Sequence, residues 1–423
     1  MNILNPIVIP PSPEHAALLN LIQIITLLVF LPFTGMLLGG SMLSVFFSLK
    51  AIRTGENIYA RFACDIMRKL SVNRITGYIL GVIPIVTITL VYAQFLFDST
   101  AVTVNLLYIS IFLYIAAVVF LYNYRSFFTL NSAEAPRTGQ GIVGIFFLLF
   151  SLFVFITSTT IAQNPESWSG TKSILYIIIA GPVILNFLFF VISSFAISSG
   201  AILYFFFIWQ GGIKEMESGY AKLIRKYSVT IAMISSLLQP VFIFLWLLIL
   251  PKFSVSPSIY INIGFTLLSI LITCNLLYII LKSSDTKYAG AVFYIIFITF
   301  TFLIVKDQIA FGNAIKEHML TVYQKAEEIS REKTANVVTS SGVNGEEIYN
   351  SKCSACHRFD QKLVGPPYKE TVPKYNGDVK KLSAFIYNPV KVNPDYPAMP
   401  NQGLKKKEAE AVAQFLMTKV GNK

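Results

Sequence analysis

Eight stretches of this chain are each apolar over about the 20 residues that a helix needs to cross a hydrocarbon layer roughly 30 Å thick. They run approximately over residues 17–49, 75–97, 100–124, 141–163, 183–209, 229–250, 258–281 and 288–305. No other feature narrows the fold as much, because in lipid a backbone must pair its own N–H and C=O groups, and for runs of this length that means an α-helix. With 54% of 423 residues hydrophobic and 13% charged, the chain is too apolar for an ordinary soluble protein. The expected fold class is all-α, a polytopic transmembrane bundle of about eight helices over residues 1–306, followed by a small separate domain.

The first run is too long for one straight span and carries Pro32, Gly35, Gly39 and Gly40, so it should tilt, kink or project from the membrane. The apolar stretch Ile174 to Ile179, before Gly181 and Pro182, reads as a short surface helix rather than a ninth span. Basic residues set the orientation. Lys50, Arg53, Arg61, Arg68, Lys69 and Arg74 fall between spans one and two, Arg125 and Arg137 between three and four, Lys214, Lys222, Arg225 and Lys226 between five and six, and Lys282 and Lys287 between seven and eight. The alternate loops hold only Lys172 and Lys252, so the positive-inside rule puts the first set in the cytoplasm and both termini outside. The net charge of +12 is thereby explained without nucleic acid. Met1 to Glu14 lacks the basic start and short apolar core of a cleavable signal peptide. The expected location is the bacterial inner (cytoplasmic) membrane, with the tail on the periplasmic or outer side.

Residues 307–344 turn polar. His318 to Lys333 reads as a helical connector, and Thr334 to Gly345 as a flexible tether, whose reach by a flexible-chain estimate is roughly 17 to 21 Å. The remaining domain, residues 345–423, has 13 Lys and Arg against 8 Asp and Glu, and is too small to build a strong core unaided.

Within it stands CSACHRF, Cys353 to Phe359. In a CxxCH motif the two thiols add to the vinyl groups of a haem, and the adjacent imidazole binds the iron. Cys353, Cys356 and His357 suit that chemistry, and the outward orientation suits it as well. A redox dithiol or half of a zinc site would use the same two cysteines, but no second CxxC or His pair follows, and no thioredoxin-like strand pattern surrounds the motif. For the sixth ligand, YPAMPNQG offers Met399 in a Pro-flanked segment before a terminal helix, Lys405 to Lys419. Met417 competes, yet it lies beside Phe415 and Leu416, where core packing accounts for it.

The tail resembles a class I cytochrome c over nearly all of residues 345–423, including LVGPPY, Leu363 to Tyr368. The resemblance implies one covalent haem c, a first helix around Glu346 to Lys352 packed on the last, and Pro366 near the proximal His.

The spans as drawn contain no His, Asp, Glu, Lys or Arg, which leaves a membrane haem without an imidazole and a proton path without carboxylates. His15 and His318 lie outside the bilayer and read as solvated, although both fall on the outer side. Cys64, in a loop, reads as a reduced surface thiol and Cys274 as apolar filler.

Over roughly residues 15–250 the bundle nevertheless resembles subunit I of cytochrome bd quinol oxidases. The segments that carry the likeness are LLVFLPFTGMLLGGSM (Leu27 to Met42), GENIYARF (Gly55 to Phe62), AQNPESW (Ala162 to Trp168) and GPVILNFLFFVISSFAISSGAILYFF (Gly181 to Phe206). Where that family has a His ligand in the first span this chain has Leu27, and where it has the His of its low-spin haem b this chain has Phe190. The third span also lacks the family's proton-path glutamates. No haem b or d is therefore expected in the bundle.

These readings lead to a membrane-anchored monohaem cytochrome rather than an enzyme by itself. It would pass single electrons in a respiratory chain between a quinol-oxidising donor and a terminal oxidase or another acceptor, with lipid around its bundle. The alternative is a structural, haem c-bearing subunit of a larger complex with a bd-like partner.

Overall fold

The computed structural model describes residues 8–71, 74–130, 138–168, 178, 181–212, 216–283, 285–340 and 344–421. Among them the secondary structure is helical, with no strand. They divide into two compact units, Met1–Gln324 and Lys325–Lys423.

Eight helices of the first unit are long and apolar enough to cross a membrane: α1 (Pro13–Thr54), α3 (Arg74–Phe95), α4 (Thr103–Leu130), α5 (Thr138–Ala162), α6 (Pro182–Phe207), α7 (Ser218–Ile249), α8 (Pro257–Ser283) and α9 (Ala289–Ala314). Their order and number match the eight apolar runs. Between α1 and α3 lies α2 (Asn57–Leu70), in a stretch read from sequence as a basic loop. α1 has 42 residues, about 63 Å of helix at 1.5 Å per residue, so it is about twice as long as a bilayer core is thick. Ser12 caps its start, accepting a hydrogen bond from the His15 N–H at 3.3 Å, and Gly55 ends it with φ of 71°.

Small residues bring α1 against α6. A Cβ at Gly39 would collide with the Ser194 carbonyl, and one at Gly35 would sit 3.3 Å from Ile197. The Ser198 hydroxyl lies within 3.2 Å of the Gly35 carbonyl. Hydroxyl pairs tie other helices: Thr34 with Tyr114 at 3.0 Å, Ser44 and Ser48 with Tyr124 at 3.1 and 3.0 Å, and Ser110 with Ser151 at 3.1 Å. Where the surroundings are apolar, close approach of small residues and such bonds hold helices together.

The span drawn to residue 305 continues as helix to Ala314, so the same helix carries ionisable groups just past the stretch read as apolar. Lys306 is 2% exposed, and its Nζ lies 2.6 Å from Asp307 Oδ1 and 3.4 Å from the centroid of Trp246. A hydropathy pattern stops at the first charge, whereas the helix continues because the carboxylate and the indole face compensate that charge.

His318 also differs from expectation. It is half-buried, its ring meets Trp168 edge-on at 5.1 Å, and among the described residues its buried Nε2 has no hydrogen-bond partner, whereas His15 is exposed. Cys64 is half-buried on α2 rather than loose in a loop. The segment expected as a surface helix, 174–179, lies outside the described residues apart from 178.

α10 (Lys316–Ser340) covers the expected connector and goes further. Residues 334–340, read as flexible tether, are helical; 341–343 lie outside the described residues. Thr and Val are mediocre helix formers, but extending an existing helix costs far less than nucleating one.

The second unit closes on a short core of Tyr349, Tyr368, Leu382, Ile386, Val412 and Leu416, among others. Its helices are α11 (Gly345–Ile348), extended by a wider turn over Tyr349–Cys353, then α12 (Tyr368–Thr371), α13 (Val379–Tyr387) and α14 (Lys406–Gly421). Asn344 caps α11 through the N–H groups of Glu346 and Glu347 at 3.0 and 3.3 Å, and Asp378 caps α13 through Lys381 N–H at 3.0 Å. Gly345 lies so close to α14 that a Cβ would collide with the Ala411 carbonyl.

Candidate haem site

The motif sits where α11 runs out. The carbonyl of Cys353 accepts from the N–H groups of Cys356 and His357 at 3.2 and 3.0 Å, so the chain turns tightly and presents two sulfurs and an imidazole on one side. Gly365 N–H then returns to the Cys356 carbonyl at 2.8 Å, and Tyr368 N–H to that of Arg358 at 3.1 Å. These bonds fold LVGPPY back over the motif and bring the Pro366 carbonyl 3.0 Å from His357 Nδ1. A carbonyl only accepts, so Nδ1 carries the proton and Nε2 keeps its lone pair for a metal.

Tyr368 lies against His357, with ring centroids 5.1 Å apart and planes at 26°. Burial pushes its phenol far above the ordinary value, so it stays neutral. Burial likewise raises the Cys353 thiol, which suits a sulfur that packs in a core. Tyr349, Phe359, Tyr368 and Phe415 interlock behind the histidine, with centroids between 5.1 and 6.3 Å apart.

A cavity of about 400 Å³ opens in front of these groups. Cys353, Cys356, His357 and Met399 all line it, with apolar walls from Leu382, Ile386 and Leu416. Met417 packs at the edge of the core instead. Sequence reasoning did not single out Tyr368 as a support for the histidine; its place directly after the two prolines was the available signal. Among the described residues no group of three His, Cys, Asp or Glu gathers as a metal site.

The donor set, the cavity and the glycine at the histidine suit a haem. No Cβ fits at Gly365, where it would overlap the His357 ring. Two thiols, a histidine and a thioether bound the same space, a donor set that matches haem c chemistry.

A second hollow, of about 120 Å³, lies inside the bundle. Leu27 and Phe190, the positions at which the bd resemblance expects haem ligands, both line it, together with Lys306, Asp307 and Gln308. Neither Leu27 nor Phe190 offers a donor atom. Among the described residues, Gln308 Oε1 and both amide atoms of the buried Gln23 lack hydrogen-bond partners.

Comparison with known proteins bears on the C-terminal unit. The Cytochrome c family model matches residues 342–419. Cytochrome c-551 of Azotobacter vinelandii is 37% identical over 78 residues, which is 18% of this chain and 95% of that protein. Cytochrome c-551 of Pseudomonas denitrificans is 36% identical over 78 residues, with the same shares, and that of Ectopseudomonas mendocina 33% over 79 residues, 18% of this chain and 96% of that one. No solved structure matches the chain significantly. The match implies haem c binding and electron transfer, and through this domain the chain belongs to the cytochrome c family.

Proposed function

We propose that this protein is a membrane-anchored monohaem cytochrome that moves single electrons at the outer face of a bacterial inner membrane, within a respiratory chain. The observation that carries the reading is the convergence of Cys353, Cys356, His357 and Met399 on one cavity of about 400 Å³. In this reading Cys353 and Cys356 hold the haem covalently, His357 supplies the proximal nitrogen and Met399 the sixth ligand. A haem held in this way supplies a one-electron iron couple whose potential is raised by the thioether. The chain's own residues set the conditions for it. Pro366 fixes the imidazole tautomer, and the ring cluster behind His357 keeps water from the proximal side.

The bundle, in this proposal, carries no haem b or d. Supporting this, Leu27 and Phe190 lack donor atoms, and the hollow they line has less than a third of the volume of the C-terminal cavity. The partners are a quinol-oxidising donor and a terminal oxidase or other acceptor, reached from outside the membrane. A pyridine haemochrome spectrum of the purified full chain tests the reading: one haem c per chain and no haem b or d is the expected result.

A second reading, a haem c-bearing subunit of a larger complex with a bd-like partner, is favoured by the size of the bundle. One span would anchor a small domain, and the described residues hold eight helices long and apolar enough to cross a membrane. Stoichiometric copurification with an oxidase would select it.

A further inference from the structure

One end of the bundle gathers cations on a helix. The stretch 50–74 holds Lys50, Arg53, Arg61, Arg68, Lys69 and Arg74 against Glu56 and Asp65. Within it α2 buries Phe62, Ala63, Ile66, Met67 and Leu70 on the bundle and turns Arg61, Arg68 and Lys69 outward.

Part of this charge is already used to dock the helix. Lys50 Nζ lies 2.5 Å from the Tyr227 hydroxyl and 4.2 Å from the Tyr59 ring centroid. Arg61 stands 4.4 Å over Tyr220, whose hydroxyl donates to Asp65 at 2.7 Å.

The far end of α2 is built differently. The Tyr122 hydroxyl donates to the Ser71 carbonyl, and Arg74 Nη2 to Asn123 Oδ1 at 3.3 Å, pinning the α2–α3 corner to the end of α4. Arg68 lies one turn before Ser71 and Arg125 one turn after Tyr122, so the contact of Tyr122 with Ser71 brings the two arginine-bearing turns together. Among the described residues, Arg125 Nε is buried there without a hydrogen-bond partner. Basic residues in the last turn of α2 favour the helix dipole, which accounts for Arg68 and Lys69. It does not account for a second guanidinium beside them with a buried donor unmet. An anion between the two arginines would answer both problems, since a guanidinium fork matches phosphate oxygens.

Just past this corner α3 exposes Ile75, Ile79 and Ile83, at 69%, 50% and 58%. Spaced four apart, they form one apolar stripe leading away from Arg74. A charged headgroup site continuing into an apolar stripe has the chemistry of a phospholipid.

We infer that the corner formed by Arg68, Lys69, Arg74 and Arg125 binds the phosphate of an anionic phospholipid, whose acyl chain lies along Ile75, Ile79 and Ile83. The inference rests on the proposal that the eight helices span a membrane. Arg68 and Arg125 grip the phosphate, and Lys69 and Arg74 add the charge that favours an anionic over a zwitterionic headgroup.

Native mass spectrometry of the detergent-purified full chain, offered phosphatidylglycerol and phosphatidylcholine in turn, tests it. Phosphatidylglycerol should be retained in preference, and Arg68→Gln with Arg125→Gln should weaken its binding about thirtyfold, with haem c content unchanged. Lys222→Gln with Lys226→Gln, changed on α7, should retain the lipid. Equal retention of phosphatidylcholine, full retention by the arginine variant, or displacement by millimolar inorganic phosphate would overturn the site. Should the double variant fail to accumulate, the wild-type preference between the two lipids and the phosphate competition decide the matter alone. A chain absent from the membrane fraction would instead overturn the membrane reading itself.

Discussion

His357 Nδ1 is held 3.0 Å from the carbonyl oxygen of Pro366, and Gly365 makes that approach possible. A methyl group at Gly365 would fall within 2.6 Å of both ring nitrogens. Gly365→Ala should therefore turn the imidazole away, leaving covalent haem in place but lowering the midpoint potential and weakening the domain by about 1–3 kcal/mol. Redox titration and optical spectra of the variant would show it; an unchanged potential would separate the glycine from ligation.

Attachment depends on the two thiols. Replacing Cys353 and Cys356 together by Ala should abolish the haem band on denaturing gels and leave residues 345–423 open to proteolysis, because a domain this small lacks the apolar core to fold without the group at its centre. A haem-stained band at full intensity would refute the assignment.

The axial pair separates the two methionines. Met399→Ala should remove the weak long-wavelength absorption of Met-ligated ferric haem and lower the potential. Met417→Ala, a change at the edge of the core, should cost about 2 kcal/mol of stability and leave that band intact. The reverse outcome would move the ligand to the terminal helix.

His318 introduces a pH dependence into the first unit. Burial lowers its pKa below 6.5, against a smaller opposing pull from the Phe95 and Phe97 backbone. The folded state then binds its proton less readily than the unfolded one, so the related stability is complete above pH 6.5 and falls as the pH drops through 6.5 toward the folded value. Thermal unfolding at pH 8 and pH 5 should show this loss, and His318→Gln should flatten the difference.

Docking of a redox partner should respond to salt. Lys374 and Lys391 are exposed at the margin of the cavity, whereas Lys369 is paired with Asp360 and Lys362 lies 4.6 Å from the Tyr396 ring. Electron transfer with an acidic partner should slow as ionic strength rises, and Lys374→Glu with Lys391→Glu should reduce both the rate and its salt dependence. Stopped-flow reduction across a salt series measures it.

The spans and the motif were legible for the same reason: each depends on residues adjacent in sequence. A run of apolar residues marks a helix in lipid, and CSACH carries its chemistry in five positions. Other features depended on distant partners. Lys306 interrupts the hydropathy signal, and nothing local shows that Trp246, 60 positions earlier, lies against it. α2 was hidden because its apolar residues are spaced around a helix and interleaved with arginines, which read as a loop to a count of charges. Residues 334–340 are poor helix formers taken singly, and the helix preceding them extends through that stretch. Met399 stood out in the sequence through its flanking prolines, and its place on the lining of the same cavity as His357 depends on residues more than forty positions apart.

The hollow shared by Leu27, Phe190 and Lys306 has a mechanical consequence. Incomplete packing around this hollow is lost when the helices part, so the open state occupies less volume than the closed one, and hydrostatic pressure favours opening. Leu27 and Phe190, which offer no donor atom, border a gap in the packing of the bundle, and under compression the helices around that gap should part more readily than helices packed without one.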